Sequence, residues 1–176
     1  MRVKFYNMQK LLLHTCCAPC TTYVNKWLTD NGFEVNALFY NPNIRPQDEY
    51  QRRLLTMESY ARAVGLKVIF EKNDIQTEVE RCVECYRARL KKTAKIAKEL
   101  GFEFLSTTLL ISPYQKIDLI KRVGEEVGEE FGVKFFYHDF RTGYRDSRQM
   151  SRAMKLYMQK YCGCKEDAYA KTSRTA

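Results

Sequence analysis

Segments of strand and helix character alternate along the chain, and this alternation constrains the fold more than any other feature of the sequence. Short apolar runs rich in β-forming residues predict strands at 10–15, 33–40, 66–70, 102–107 and 133–138. Helical patterns follow them, through Trp27 and over 47–64, 80–100, 113–131 and 145–161. The order βαβαβαβαβα predicts an α/β fold, a mostly parallel five-stranded sheet sandwiched by helices.

The size and composition fit one domain of this kind. The chain has 176 residues, of which 45% are hydrophobic, so it can bury a substantial core. We expect a single α/β domain, with a core at 1–140 and a basic helix and Cys-Gly-Cys tail at 141–176. No apolar run is long enough to cross a bilayer, and residues 1–10 do not lead into a signal-peptide pattern. We therefore expect a cytoplasmic protein with no membrane partner.

The formal charge of +9 lies at the two ends of the chain. Residues 1–10 contribute +3 and residues 141–176 contribute +6, while residues 11–140 balance to zero. This asymmetry favours a polyanionic partner that docks against a neutral body. A solubilising tail is the alternative interpretation of the same charge.

The seven cysteines form three tight groups, and none stands alone. The groups are Cys16, Cys17 and Cys20, then Cys82 and Cys85, and finally Cys162 and Cys164. Cysteines that serve only as small hydrophobic residues would be scattered. Because structural disulfides are rare in a reducing compartment, the grouping indicates metal binding or redox chemistry.

The predicted fold brings the first two groups to the same edge of the sheet. Cys16, Cys17 and Cys20 follow the first strand, and Cys82 and Cys85 lie in the first turn of the helix after the third strand. Parallel sheets bind ligands at the carboxyl ends of their strands, at the topological switch point. Soft thiolates without nearby histidines favour zinc or an iron–sulfur cluster.

Two other classes of protein remain open from the residues alone. The sequence C-x-P-C at 17–20, between a strand and a helix, is typical of a thioredoxin-like oxidoreductase. Four cysteines could also hold a structural zinc in an RNA-binding module, although Cys20 and Cys82 are far apart for a zinc ribbon. Cys162 and Cys164 fit a strained, easily reduced disulfide, with two further metal ligands as the alternative.

Longer motifs surround these cysteines and cover nearly the whole chain. They are 14–20, 40–44 with Pro46, Glu49, Tyr50 and Arg53, 81–87 with Arg89, Leu90, Thr93 and Ala94, 106–110 with 112–114, 139–141, and Tyr157 with 161–164. In combination they are very specific. The chain resembles the QueH-type epoxyqueuosine reductases, a cobalamin-independent family of queuosine biosynthesis.

The resemblance implies a two-electron reduction on tRNA. The family converts the epoxide of epoxyqueuosine, at the wobble position of certain tRNAs, to the alkene of queuosine with a 4Fe–4S cluster. It assigns the cluster ligands to the positions of Cys16, Cys17, Cys82 and Cys85, and a redox-active disulfide to those of Cys162 and Cys164. Cys20 is left over, either as a thiol beside the cluster or as a ligand of an additional iron. No motif indicates the electron donor.

The resemblance also implies a fold related to the PP-loop ATPases, although a Gly-rich phosphate loop is absent and we predict no use of ATP. The basic end of the chain suits tRNA, whose phosphates would bind Arg145, Arg148, Arg152 and Lys155 on one face of the last predicted helix. A wobble base must be splayed into a pocket, usually with aromatic stacking. The aromatic candidates are Tyr40, Tyr50, Tyr86, Tyr114 and Phe140.

Overall fold

The computed structural model describes residues 8–72 and 82–163, and within them it has five strands and five α-helices. The strands are β1 (Gln9–Thr15), β2 (Phe33–Phe39), β3 (Val68–Phe70), β4 (Phe104–Thr107) and β5 (Lys134–Phe135). The helices are α1 (Ala18–Asp30), α2 (Gln47–Val64), α3 (Cys82–Leu100), α4 (Ile117–Phe131) and α5 (Tyr144–Ala153). Cys164 and the predicted helix start at residue 80 lie outside the described residues.

The strands form one sheet in the order β3-β2-β1-β4-β5, and every neighbouring pair is parallel. This confirms the predicted fold class. Leu11, Leu12 and Leu13 of β1 are all buried, as expected for a central strand with helices on both faces. The chain moves outward from β1 to β3 and then returns to β4 on the other side, so the switch point lies between the carboxyl ends of β1 and β4.

The last helix is shorter than its periodicity predicts, because α5 ends at Ala153 and not at 161. Lys155 adopts a left-handed conformation (φ 54°), and the Leu156 amide closes the turn on the Ser151 carbonyl at 2.9 Å. Met154 and Leu156 then pack on a second apolar cluster that includes Met57. The prediction that Lys155 shares a helix face with the arginines is therefore wrong, because burial of its neighbours ends the helix.

Several other predicted bounds are also too long. β5 covers 134–135 where 133–138 was predicted, and α4 begins at Ile117, not at 113. A 3-10 helix at Thr108–Ile111 precedes α4, and the Thr107 hydroxyl caps it by accepting from the Leu109 amide. Within the described ranges, no helix is long and apolar enough to cross a membrane.

The helix α5 packs against α1 through a close approach at Gly143. A Cβ atom at this position would lie 2.1 Å from the ring of Tyr23, so only glycine fits without displacing that ring. The Thr22 hydroxyl of α1 also reaches the Ser147 carbonyl of α5, at 3.4 Å. These contacts place α5 beside the segment 16–20, which carries the first three cysteines.

Candidate metal centre

Three cysteine sulfurs meet where β1 leads into α1, two from the link between them and one from the first turn of α1. The Sγ atoms of Cys16, Cys17 and Cys20 all lie within 4.8 Å of one another, and those of Cys16 and Cys17 are 3.7 Å apart. Cys17 is the N-cap of α1, and its sulfur accepts from the Cys20 amide at 3.5 Å. Because Pro19 favours the first helical turn, the sequence directs the helix to begin where the thiols converge. We call these three residues the cysteine triad.

The close contact within the triad separates the acidities of its thiols. Hydrogen bonds from Cys17 and Cys20, assisted by the Thr108 hydroxyl, hold the pKa of Cys16 well below its usual value although burial opposes this. Burial, followed by the hydrogen bond shared with Cys16, raises the pKa of Cys17 to about 12. Hydrogen bonds to Cys16 and Cys17 raise the pKa of Cys20 well above normal. One thiolate therefore forms readily, and two protons remain that a bound cation would displace.

This donor set fits a soft metal or an iron–sulfur cluster. The three residues are buried and come from one short segment, 16–20, whose backbone is fixed by β1 before it and by α1, which includes Cys20. Thiolates favour zinc, copper(I) and iron–sulfur clusters over hard cations. The triad differs from the predicted ligand set in two respects, because it includes Cys20 and does not include Cys82 or Cys85.

Cys82 and Cys85 lie at the start of α3, outside the 4.8 Å group of the triad. Cys82 is exposed, whereas the sulfur of Cys85 accepts from Asn43 Nδ2 at 3.0 Å. Arg89 bridges Asn43 and Asn41 through bonds of 2.6 and 2.7 Å, and Asn41 Nδ2 donates to the Thr15 carbonyl at the end of β1. A buried polar network thus connects Cys85 to the strand end that precedes the triad.

His14 lies beneath the triad and is neutral. Its Nε2 is 3.1 Å from the Tyr40 carbonyl oxygen, which can only accept, so Nε2 carries the proton. Nδ1 then accepts from the Thr107 hydroxyl at 2.9 Å. Burial, assisted by the charge of Arg89, lowers the pKa of His14 to about 4. This histidine is a structural residue, as its position at a strand end indicates.

A cavity of about 1280 Å³ opens beside the triad. Cys16 and Cys20 line one part of it, and Cys162 lines another. The wall also contains aromatic and basic side chains, among them Tyr114, Tyr144, Arg148 and Arg53. The cavity thus combines thiols, aromatic rings and cationic groups within one large space.

Residues 157–163, which we call the strap, follow the turn after α5, and residues 157–162 line the cavity. Two α2 residues hold the strap: Arg53 donates to Glu49 at 2.7 Å and to the carbonyl oxygens of Tyr161 and Cys162 at 2.8 and 3.0 Å. The Tyr157 hydroxyl donates to the other oxygen of Glu49 at 2.6 Å. The role of Glu49 and Arg53 was not predicted, although their i, i+4 spacing on α2 is a signal for an ion pair.

The other predicted binding residues take different places. On α5, Arg145 and Arg152 are exposed and Arg148 lines the cavity, while Lys155 is exposed beyond the helix. Among the aromatic candidates, Tyr114 lines the cavity, and Tyr50, Tyr86 and Phe140 are buried. Tyr40 packs against the core. Of the aromatic set, Tyr114 is therefore the residue that the structure places at the site.

The fold and the site define a class: α/β proteins with a five-stranded parallel sheet and a cluster of thiols at its switch point. A U34-tRNA thiolase from Methanococcus maripaludis, solved with its 4Fe–4S cluster, has this fold, with a TM-score of 0.60 over 94% of this chain and 63% of that one, at 14% identity. The model of the epoxyqueuosine reductase QueH family matches residues 11–170, and the chain belongs to that family.

Curated members agree with this assignment. The Dehalococcoides mccartyi epoxyqueuosine reductase QueH is 39% identical over 171 residues, which cover 92% of this chain and 94% of that protein. The Streptococcus pyogenes QueH is 34% identical over 133 residues, which cover 65% of this chain but only 52% of that longer protein. The family consists of oxidoreductases that act on tRNA, so membership decides against a thioredoxin-like protein and a zinc-stapled binding module.

Proposed function

We propose that this protein reduces the epoxide of epoxyqueuosine in tRNA to the alkene of queuosine. The reaction consumes two electrons and two protons, and the epoxide oxygen leaves as water. The observation that carries the proposal is the convergence of three buried thiols at the switch point of a QueH-family sheet, beside a cavity with a fourth cysteine, Cys162, in its wall.

The proposed cofactor is a 4Fe–4S cluster held by Cys16, Cys17, Cys82 and Cys85. Two of these ligands belong to the triad, and Cys85 is connected to the triad's strand end through Asn43 and Arg89. When bound, such a cluster would supply electrons one at a time and an iron that acts as a Lewis acid. Cys20, whose sulfur already lies within the triad, is available for an additional iron.

Cys162 and Cys164 are proposed to supply the reducing equivalents. Two thiols that become a disulfide release two electrons and two protons, which balances the loss of the epoxide oxygen as water. An external reductant must then restore the dithiol. Arg53 holds the Cys162 carbonyl and thereby keeps this end of the pair at the cavity wall.

The remaining cavity residues are proposed to bind the nucleotide. Tyr114 and Tyr144 form an edge-to-face pair with centroids 6.3 Å apart, and both line the cavity. Splayed nucleobases stack on such rings, and Arg148 can bind a flanking phosphate. Arg145 and Arg152 extend the positive surface along α5, where we propose that the tRNA backbone docks.

The cytoplasmic location and the domain division at residue 140 stay predictions.

Single substitutions test the ligand set. We expect Ala at position 16, 17, 82 or 85 to lower the iron and sulfide content after anaerobic reconstitution, because each removes one thiolate. Cys20→Ala is the matched control and should keep four iron and four sulfide per chain, with loss of an additional iron only. If a Cys82→Ala or Cys85→Ala protein keeps its cluster and Cys20→Ala loses it, the triad holds the cluster and the proposed ligand set is wrong.

The dithiol is tested separately. A Cys162→Ala/Cys164→Ala protein should retain its cluster yet fail to convert epoxyqueuosine in tRNA. The measurement is nucleoside analysis of tRNA digests after reaction with a chemical reductant. Undiminished conversion, or loss of the cluster in this variant, would contradict the redox role.

A further inference from the structure

The strap contributes one side chain to the triad, and that side chain is Gln159. Its Nε2 lies 2.8 Å from the sulfur of Cys17 and 4.0 Å from that of Cys20. Cys17 is almost fully buried, so this amide reaches a sulfur that has little contact with water. The sulfur of Cys17 also accepts from the Cys20 amide. Two N–H groups from different parts of the chain therefore converge on one sulfur.

Stability does not explain this placement. Gln159 Oε1 is buried and has no hydrogen-bond partner among the residues that the structure describes. An unpaired buried carbonyl costs about 1–3 kcal/mol, which is more than a typical hydrogen bond contributes. An apolar side chain of similar size, such as Met, would avoid that cost. The amide therefore serves a purpose at the Cys17 sulfur other than holding the fold together.

Anchors on both sides fix the position of the amide. Before it, Tyr157 donates to the buried Glu49 carboxylate. After it, Arg53 holds the carbonyl oxygens of Tyr161 and Cys162, and the Arg45 amide donates to the Gly163 carbonyl at 2.8 Å. The backbone on either side of Gln159 is thus tied to α2 and to the segment before it, so the amide meets Cys17 without further rearrangement.

We propose that Gln159 is a positioning residue that raises the reduction potential of the metal group bound through Cys17. An N–H bond to a ligating sulfur draws electron density from it and stabilises the reduced, more negative state. The inference rests on the proposed function, since it requires a redox-active metal group. It does not depend on how the ligand set is completed, because Cys17 belongs both to the triad and to the four proposed cluster ligands.

The test compares variants in the anaerobically reconstituted full chain without tRNA. Gln159→Met and Gln159→Leu remove the N–H donor and put an apolar side chain of similar size in its place. Gln51→Met, at an exposed position on α2, is the matched control. Iron and sulfide are first determined, and the midpoint potential is then measured by redox titration followed by electron paramagnetic resonance.

We expect both Gln159 variants to keep wild-type iron and sulfide and to titrate at a more negative potential, while Gln51→Met titrates as wild type. An unchanged potential in variants with an intact cluster would overturn the inference and leave the proposed function standing. Loss of the cluster from both variants would also overturn it, because the amide would then serve assembly. A wild-type protein without iron and sulfide would overturn the inference and the proposed cofactor together.

Discussion

Arg53 donates a hydrogen bond from Nη1 to the carbonyl oxygen of Cys162, 3.0 Å away and 109 positions later in the chain. The same guanidinium pairs with Glu49, and both side chains are almost fully buried. The ion pair of α2 is therefore the point at which the strap is fastened to the body of the protein. The reducing end of the proposed reaction thus depends on a charged pair that is almost fully buried.

Replacing Arg53 with Met should destabilise the protein by about 3–5 kcal/mol. The reason is that the Glu49 carboxylate would stay buried without its counter-charge. Urea unfolding measures the change, and Cys162 should also react faster with an alkylating reagent once the strap is released. The exposed Arg62→Met on the same helix is the control and should change stability by no more than about 0.5 kcal/mol.

The double variant Arg53→Met/Glu49→Leu refines this prediction. It removes both charges, so it should recover much of the lost stability while Cys162 stays reactive. If Arg53→Met has the same midpoint of urea unfolding as the wild type, the ion pair does not hold the strap in place.

His14 should make folding stability fall as the solution becomes more acidic. Its pKa is lowered to about 4 in the folded protein, against 6.5 in the unfolded chain, so the unfolded state binds a proton first. This group therefore leaves stability unaffected above about pH 7 and removes about 2 kcal/mol between pH 7 and pH 5. Unfolding of the metal-free protein at several pH values measures the effect.

The matched comparison for this prediction is His14→Asn, which removes the titrating imidazole. The variant will be less stable at pH 7, but its stability should depend less on pH between 7 and 5. Identical pH dependence in the two proteins would show that folding does not lower the pKa of this imidazole.

Tyr114 should contribute to binding of the modified nucleotide. Its side chain is 53% exposed although it lines the cavity, and its ring meets that of Tyr144 edge to face. Tyr114→Ala should weaken binding of an anticodon stem–loop that carries epoxyqueuosine by about 1–3 kcal/mol, the range for one stacked base. Tyr114→Phe preserves the ring and should bind as wild type. If Tyr114→Ala binds the stem–loop with wild-type affinity, the modified base does not stack on this ring.

The exposed arginines of α5 should carry the salt dependence of tRNA binding. In Arg145→Gln/Arg152→Gln, the slope of log affinity against log salt should become shallower by about 1.4–1.8, at roughly 0.7–0.9 per lost phosphate contact. The weakening should be similar for all tRNAs, because phosphates carry no sequence information.

A control variant separates local contacts from overall charge. Lys95→Gln/Lys98→Gln changes two exposed residues of α3 and lowers the net charge by the same amount. It should leave the salt slope near the wild-type value. If both double variants flatten the slope equally, the tRNA responds to net charge and α5 is not the docking surface.

The sequence determined the order of strands and helices, because apolar periodicity is a local property that each segment carries by itself. It also determined that Cys16, Cys17 and Cys20 would lie at a strand end, since the strand before them is apolar and Pro19 begins the next helix. The resemblance to the reductase family followed from the same motifs. In these respects the patterns read from the sequence agree with the elements that the structure contains.

Only the tertiary structure decided where α5 ends and what its continuation touches. The basic periodicity runs on past Ala153, but burial of Leu156 and the bond from Tyr157 to Glu49 turn the chain away from the helix. The contact of Gln159 with Cys17 then joins residues 142 positions apart. No local pattern encodes such a contact, because it exists only when the sheet has brought β1, α2 and the strap to one edge.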